Sequence, residues 1–326
     1  MVSLFKDRSP ATIIWLFILS IVVHSHFFVD TPVVKPGIDD GLLSKFLRDY
    51  LSVLSSGSVI LIYHAIVLLQ ALRLNYLFTD HRMYSKVNYL AAMVYILLTG
   101  VFKEWSDLTP ALIQNSLVIW LFTRSIQLYN NPNPKTVLFN IGLLIGVGIL
   151  LYHPSSPLIL VAFFALMAVR PFVITEWIVL PMGVITPYYF LAAYLYYNGK
   201  IQTIGEYIPN WALNIPDTTI SPVFFVTIGL IIVILLIGLF YWQHESRRIL
   251  IQVRKNWVVL LVMLLVMLPI PFINQHAGVE SLLLWIVPAS PFMAKGFLDP
   301  KKNFLPNLMF WSLLALAILK NWEIVK

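Results

Sequence analysis

Pro222-Val223-Phe224-Phe225-Val226-Thr227-Ile228-Gly229-Leu230-Ile231-Ile232-Val233-Ile234-Leu235-Leu236-Ile237-Gly238-Leu239-Phe240 carries no charge over its whole length. As a helix it would reach about 28 Å at roughly 1.5 Å per residue, close to the ~30 Å hydrocarbon core of a bilayer. A helix satisfies its own backbone N–H and C=O groups, which a lipid solvent demands. A barrel strand would alternate apolar and polar residues over about 10 positions, and this run is unbroken.

Similar runs recur on both sides of it. The predicted spans are 11–29, 58–77, 88–103, 110–128, 137–152, 157–173, 176–197, 221–242, 257–273, 281–296 and 304–319. The fold class expected is therefore all-α: a polytopic transmembrane helix bundle of about eleven spans (10–12), with residues 1–326 forming one transmembrane domain. Composition agrees. Of 326 residues, 59% are hydrophobic and 11% charged, against about 25% charged in soluble domains. There is no cysteine, which excludes disulfides, thiolate metal sites and cysteine nucleophiles.

The net charge of +7 is read as topology, because Lys and Arg collect on the cytoplasmic side. Nucleic acid is not an expected partner, since no folded basic face is available. Lys6 and Arg8 precede the first apolar run, which reads as an uncleaved anchor. With the N-terminus cytoplasmic, alternate segments hold 15 basic residues inside and 7 outside. Eleven spans leave Lys320 and Lys326 outside, whereas an even number returns them inside.

Two outer segments are long. Residues 30–57 contain a predicted amphipathic interfacial helix, with Leu43, Phe46, Leu47 and Tyr50 on one face and Lys45, Arg48 and Asp49 largely opposite. Residues 198–220 carry Tyr207 and Trp211, which suit the headgroup level.

All fifteen acidic residues fall in loops or at helix ends, and no Lys or Arg falls at a span centre. Ion-coupled carriers place ionisable groups at mid-membrane, so a proton-coupled pump is disfavoured and any site is expected at a face. Asp39 and Asp40 are the candidate catalytic residues: an outer carboxylate can act as a general base toward a sugar hydroxyl, or hold a divalent cation on a lipid pyrophosphate. The alternative for these two is a solvated helix N-cap. His26, Asp30 and His153 are candidate binding residues on the outer side. Arg247 and Arg248, on the inner side, could grip anionic lipid headgroups or a cytoplasmic partner, or act only as a topology anchor. His24 and His26, two apart on a helix, point to different faces and suit no shared metal, so no metal site is expected. His64 and Gln70 are read as helix-to-helix hydrogen-bonding groups. Gly142 and Gly146, before the turn His153-Pro154-Ser155-Ser156-Pro157, predict a tightly packed helical hairpin. Prolines 181, 187, 269, 271, 288 and 291 fall within spans, where they can bend helices.

The stretches Leu74-Asn75-Tyr76-Leu77-Phe78, Tyr84-Ser85-Lys86-Val87-Asn88-Tyr89, Leu138-Phe139-Asn140-Ile141-Gly142 and Leu180-Pro181-Met182-Gly183-Val184-Ile185-Thr186-Pro187-Tyr188-Tyr189 resemble, in order and spacing, a family of Bacteroidota polytopic inner-membrane proteins with no established activity. The resemblance implies the bacterial inner (cytoplasmic) membrane. More distantly, the architecture is similar to membrane glycosyltransferases that use polyprenyl-phosphate sugars. They too have a first span, a long outer loop with an amphipathic helix and an acidic residue, then a many-span bundle. Residues 142–170 look like their glycine-rich hairpin ending in a basic residue. The large soluble outer domain of many members is absent.

Three functions follow as expectations. The first is cell-envelope biogenesis with a lipid-linked sugar at the outer leaflet, with polyprenyl-phosphate-linked sugar and membrane lipids as partners and a divalent cation as the one conceivable cofactor. It predicts a cavity opening outward between the first two spans, lined by Asp39 or Asp40. The second is a non-catalytic subunit scaffolding other membrane proteins of the envelope. The third is a lipid or solute transporter, which requires discontinuous helices around a midplane cavity.

Overall fold

A computed structural model describes residues 1–7, 9–37, 41–213, 222–273, 278–298, 300 and 304–322. Among these residues there is no strand, only an isolated bridge between Val34 and Leu108. Eleven helices of ten or more residues occur among them: α1 (Ala11–Val23), α2 (Ser56–Asp80), α3 (Leu90–Thr99), α4 (Pro110–Ile126), α5 (Pro134–Leu151), α6 (Leu158–Val169), α7 (Ile174–Tyr197), α8 (Pro222–Ser246), α9 (Ile251–Met267), α10 (Leu283–Leu298) and α11 (Phe304–Asn321). Each expected apolar run thus coincides with a helix. Six regions are long and apolar enough to cross a membrane: α2, α5, α7, α8, α10 with the turn before it, and α11. The chain is a helical membrane protein. The other five helices are shorter, and α3 at about 15 Å reaches only half the thickness of a bilayer core.

Successive helices run back and forth between two ends of the bundle. At the proximal end, the Val2 N–H donates to Asn307 at the start of α11 and the Tyr89 N–H donates to the Phe5 carbonyl. The Trp257 indole donates to Met83, and Lys255 donates to the Val169 carbonyl. At the distal end, Asn321 closes α11 by donating to Gly100 after α3 (2.7 Å), and the Trp322 indole donates to Ser25 after α1 (3.1 Å). The first and last helices therefore run in the same direction.

Burial does not follow hydrophobicity. The α8 span, the most apolar, has only 28% of its residues buried, whereas α10, with its prolines, serine and Lys295, has 83%. Every residue of α3 is buried as well. Lipid tails are as apolar as leucine, so the helix with small and polar residues gains most from protein neighbours. Between α2, α3, α4 and α10, Tyr95 donates to Gln70 (2.7 Å), Gln70 donates to Leu112 O (2.7 Å), and Asn115 donates to Leu283 O (2.9 Å). Gln70 has the helix-to-helix role expected of it. So has His64, whose Nδ1 lies 2.8 Å from Ser20 Oγ.

Three expectations are corrected. The first span ends at Val23, and a 3₁₀ turn over Ser25–Phe28 follows. The glycine hairpin forms its turn at His153–Ser155, but Gly142 and Gly146 face α7 instead of α6: a Cβ on either would strike the Leu180 or Val184 carbonyl, and Gly183 faces back onto Phe139. The rising numbers along both helices make α5 and α7 a parallel pair. The amphipathic segment is a short α-helix, Leu42–Phe46, running into a π-turn, Leu47–Leu51. It buries Leu43 and Leu47 but leaves Phe46 and Tyr50 exposed and against each other. Of the intramembrane prolines, Pro181, Pro187, Pro288 and Pro291 lie inside continuous helices, whereas α9 ends at Met267, just before Pro269.

Candidate functional site at the distal end

The distal end gathers the segment after α1, the turns before α4 and α10, and the α5–α6 corner. Residues 33–35 pair with Leu108: Leu108 N–H donates to Val33 O (3.0 Å), and Lys35 N–H donates to Leu108 O (3.1 Å). Asp107, buried, pins the same segment by accepting from Val33 N–H (3.1 Å) and pairing with the Lys35 ammonium (2.5 Å). The Trp105 indole donates to Val279 O (2.9 Å), which ties the 3₁₀ turn Lys103–Trp105 to the turn Val279–Leu282.

These ties frame a cavity of ≈ 410 Å³ lined by Val34, Lys35, Pro36, Gly37, Glu104, Thr109, Pro110, Tyr152 and Glu280. Two acidic residues, a lysine and a tyrosine are thus among its lining residues, the lysine ammonium being paired with Asp107. Glu104 is exposed and Glu280 half-buried. Asp39 and Asp40 lie outside the described residues. Their neighbours are anchored: Gly37 O accepts from Arg48 (3.3 Å), and Gly41, at φ +124°, packs where a Cβ would lie 2.6 Å from Leu151 O. Only glycine tolerates that conformation and that approach.

A second, apolar groove of ≈ 450 Å³ faces outward between α1 and α2. Its lining includes Phe17, Ile21, Phe28 and Leu61, with His24 and His64 beside them. His24 is buried at 1% exposure; its Nδ1 bonds Ser20 O (2.9 Å) and its Nε2 lies 3.0 Å from the Tyr63 hydroxyl, which donates to Trp105 O. His26 is buried too, edge-on to Phe27. The expectation of opposite helical faces fails because the helix has ended before both residues.

The predicted binding residues do not form one site. His26 is buried beside the distal surface, and desolvation lowers its pKa, with the Asp30 charge opposing. Asp30 is exposed and paired with Lys103 (3.0 Å), which holds its carboxyl below the usual range. His153 is buried in the α5–α6 corner, next in sequence to the cavity residue Tyr152. Arg247 and Arg248 are exposed at the opposite end of the bundle. The basic residue that ends the hairpin, Arg170, holds structure together. Its guanidinium takes both oxygens of buried Glu176 (3.0 and 3.1 Å) and caps the Leu128 and Asn131 carbonyls.

Two features are not legible in the sequence. Glu280 joins the distal cavity through a turn nearly two hundred residues away from Glu104. Lys295, at the end of the predicted span 281–296, is 1% exposed inside α10. It pairs with Glu245 and lies over the rings of Tyr84 and Trp257. Its only sequence signal is its place in the last turn of a predicted span, where a lysine ordinarily snorkels outward. No group of three His, Asp or Glu able to hold a metal ion occurs among the described residues. Compared with protein-family models, curated proteins and solved structures, the chain matches none.

Proposed function

We propose that this protein is an enzyme of cell-envelope biogenesis in the bacterial inner membrane, acting on a lipid-linked sugar of the polyprenyl-phosphate kind at the outer leaflet. The observation that supports it is the distal cavity, with Glu104, Glu280, Lys35 and Tyr152 at its wall. In this reading the proximal end is cytoplasmic, which accords with the 15 to 7 partition of basic residues, and the chain crosses eleven times. One cavity carboxylate takes the proton of an acceptor hydroxyl, whose oxygen bonds to the sugar's anomeric carbon as that carbon's bond to the phosphate oxygen breaks and the lipid phosphate leaves. A divalent cation, held by one or two carboxylates and the substrate's own phosphate oxygens, would stabilise the leaving group. The kinship with the Bacteroidota inner-membrane family belongs to the same proposal.

The test is turnover of a synthetic polyprenyl-phosphate-linked sugar by the protein in lipid nanodiscs. Glu104→Gln or Glu280→Gln is expected to lower turnover by about 100-fold or more, with Asp39→Asn and Asp40→Asn as the parallel pair. Wild-type rates in all four variants would remove the distal site.

A scaffolding role is the second reading, and α7 favours it. Only 17% of this helix is buried, and Ile178, Met182, Ile185, Tyr189 and Phe190 are exposed along it. A partner span could cover that face. Wild-type protein that copurifies with a stoichiometric membrane partner and neither binds nor turns over the lipid-linked sugar would select this reading. Transport has less support, because α7 and α10 are unbroken and the Gln70–Tyr95–Asn115 network fills the space between the central helices.

A further inference from the structure

At the proximal end, Gln243 and His244 in the last turn of α8 and Arg247 and Arg248 in the turn just after it are exposed, and with Phe240 they line a cavity of ≈ 360 Å³. A carboxylate in the same turn, Glu245, would ordinarily neutralise part of this charge. The fold prevents it: the Glu245 carboxylate pairs with the buried Lys295 ammonium, which Tyr84 and Trp257 enclose. Neither Arg247 nor Arg248 has an ion-pair or hydrogen-bond partner for its guanidinium among the described residues. Their positions at the end of α8 add the unsatisfied carbonyls of the last turn, which attract cations but cannot discharge them.

The surroundings say which anion fits. Phe240 is 67% exposed, Leu250 73% and Ile251 56%, so the two arginines lie among side chains that need an apolar solvent. A soluble anion or an acidic protein segment would leave those side chains in water. A phospholipid supplies both parts: a phosphate for the guanidinium forks and an acyl chain for Phe240. We propose that this cavity is a binding site for an anionic phospholipid headgroup, with Arg247 and Arg248 holding the phosphate and Phe240 lying along the first methylenes of the chain. The site is independent of the distal cavity and of the reaction proposed there.

Native mass spectrometry of the detergent-purified full chain, titrated with phosphatidylglycerol or phosphatidylcholine, tests this. Wild type should retain phosphatidylglycerol at least ten-fold more tightly. The double substitution Arg247→Gln/Arg248→Gln should weaken phosphatidylglycerol by about thirty-fold, from roughly 1 kcal/mol for each basic residue near an anionic surface, and leave phosphatidylcholine unchanged. A control, Arg73→Gln/Arg124→Gln, removes two other basic residues of the proximal half and should change nothing. Equal loss in the control would mean diffuse attraction and overturn the site, as would unchanged binding in the double variant. Inorganic phosphate that displaces the lipid completely at equal concentration would overturn the lipid assignment. An unchanged melting temperature in both double variants verifies that the fold, including the neighbouring Lys295–Glu245 pair, is kept.

Discussion

Removing the Glu245 carboxylate would strand the Lys295 ammonium, 2% exposed at its side chain, inside an aromatic enclosure. A buried charge that loses its partner costs about 3 kcal/mol or more. Glu245→Gln should therefore lower the melting temperature in detergent clearly. Lys295→Met/Glu245→Gln should recover most of the loss, since methionine keeps the apolar stem and no charge remains. A Glu245→Gln protein as stable as wild type would show that the pair is idle. At His26 the prediction concerns pH. Burial lowers its folded pKa below the ordinary 6.5, so the unfolded chain binds more protons below that value. The stabilisation linked to the neutral ring is complete above pH 6.5 and is lost as pH falls toward the lowered folded value. His26→Gln should consequently flatten the decline in melting temperature between pH 7.5 and 5 relative to wild type; identical slopes would remove His26 from that decline. Neither environment is legible in the one-dimensional pattern. The sequence places Lys295 at the end of a predicted span and His26 on the outer side, and both placements rest on position along the chain alone. Burial here depends on Glu245 and Tyr84 in one case and on Phe27 and its neighbours in the other.

At the scale of helices, the α5–α7 pair rests on absent side chains. A Cβ at Gly142 would meet the Leu180 backbone, whereas one at Gly229 in α8 meets nothing within 4 Å. Gly142→Ala should cost about 1–3 kcal/mol through overpacking. Gly229→Ala should be neutral or stabilising by about 0.5 kcal/mol, because alanine loses less backbone freedom in a helix. Thermal unfolding of the two variants side by side checks the contrast, and equal effects would refute the packing account. The small-residue spacing is visible in the sequence, and close helix approach follows from it. Its partner is not visible. The tight turn at His153 suggests α6 by chain proximity, but α7 carries the matching Gly183 two helices on.

At the scale of the whole molecule, the alternation of ends makes a topological prediction. The chain has no cysteine, so single cysteines report alone. Lys35→Cys at the distal cavity should react with a membrane-impermeant maleimide in spheroplasts, and Lys86→Cys at the proximal end only after permeabilisation. The reverse pattern would invert the orientation and move the distal cavity to the cytoplasm. The same experiment at Trp322→Cys tests the odd number of crossings, with labelling expected from outside.

Helicity and apolar character were decided by the chain alone, segment by segment. In a lipid solvent each run of about 20 residues must satisfy its own backbone, and that requirement involves no distant residue. The structure decided what depends on distant partners: that α3 and α10 occupy the centre while the most apolar helix faces outward, that Glu104 and Glu280 share a cavity wall, and that Glu245 turns inward and leaves Arg247 and Arg248 to other anions. Helices pack in lipid through small residues, hydrogen bonds and shape. Those are properties of pairs of surfaces, and no single stretch of sequence contains both members of a pair.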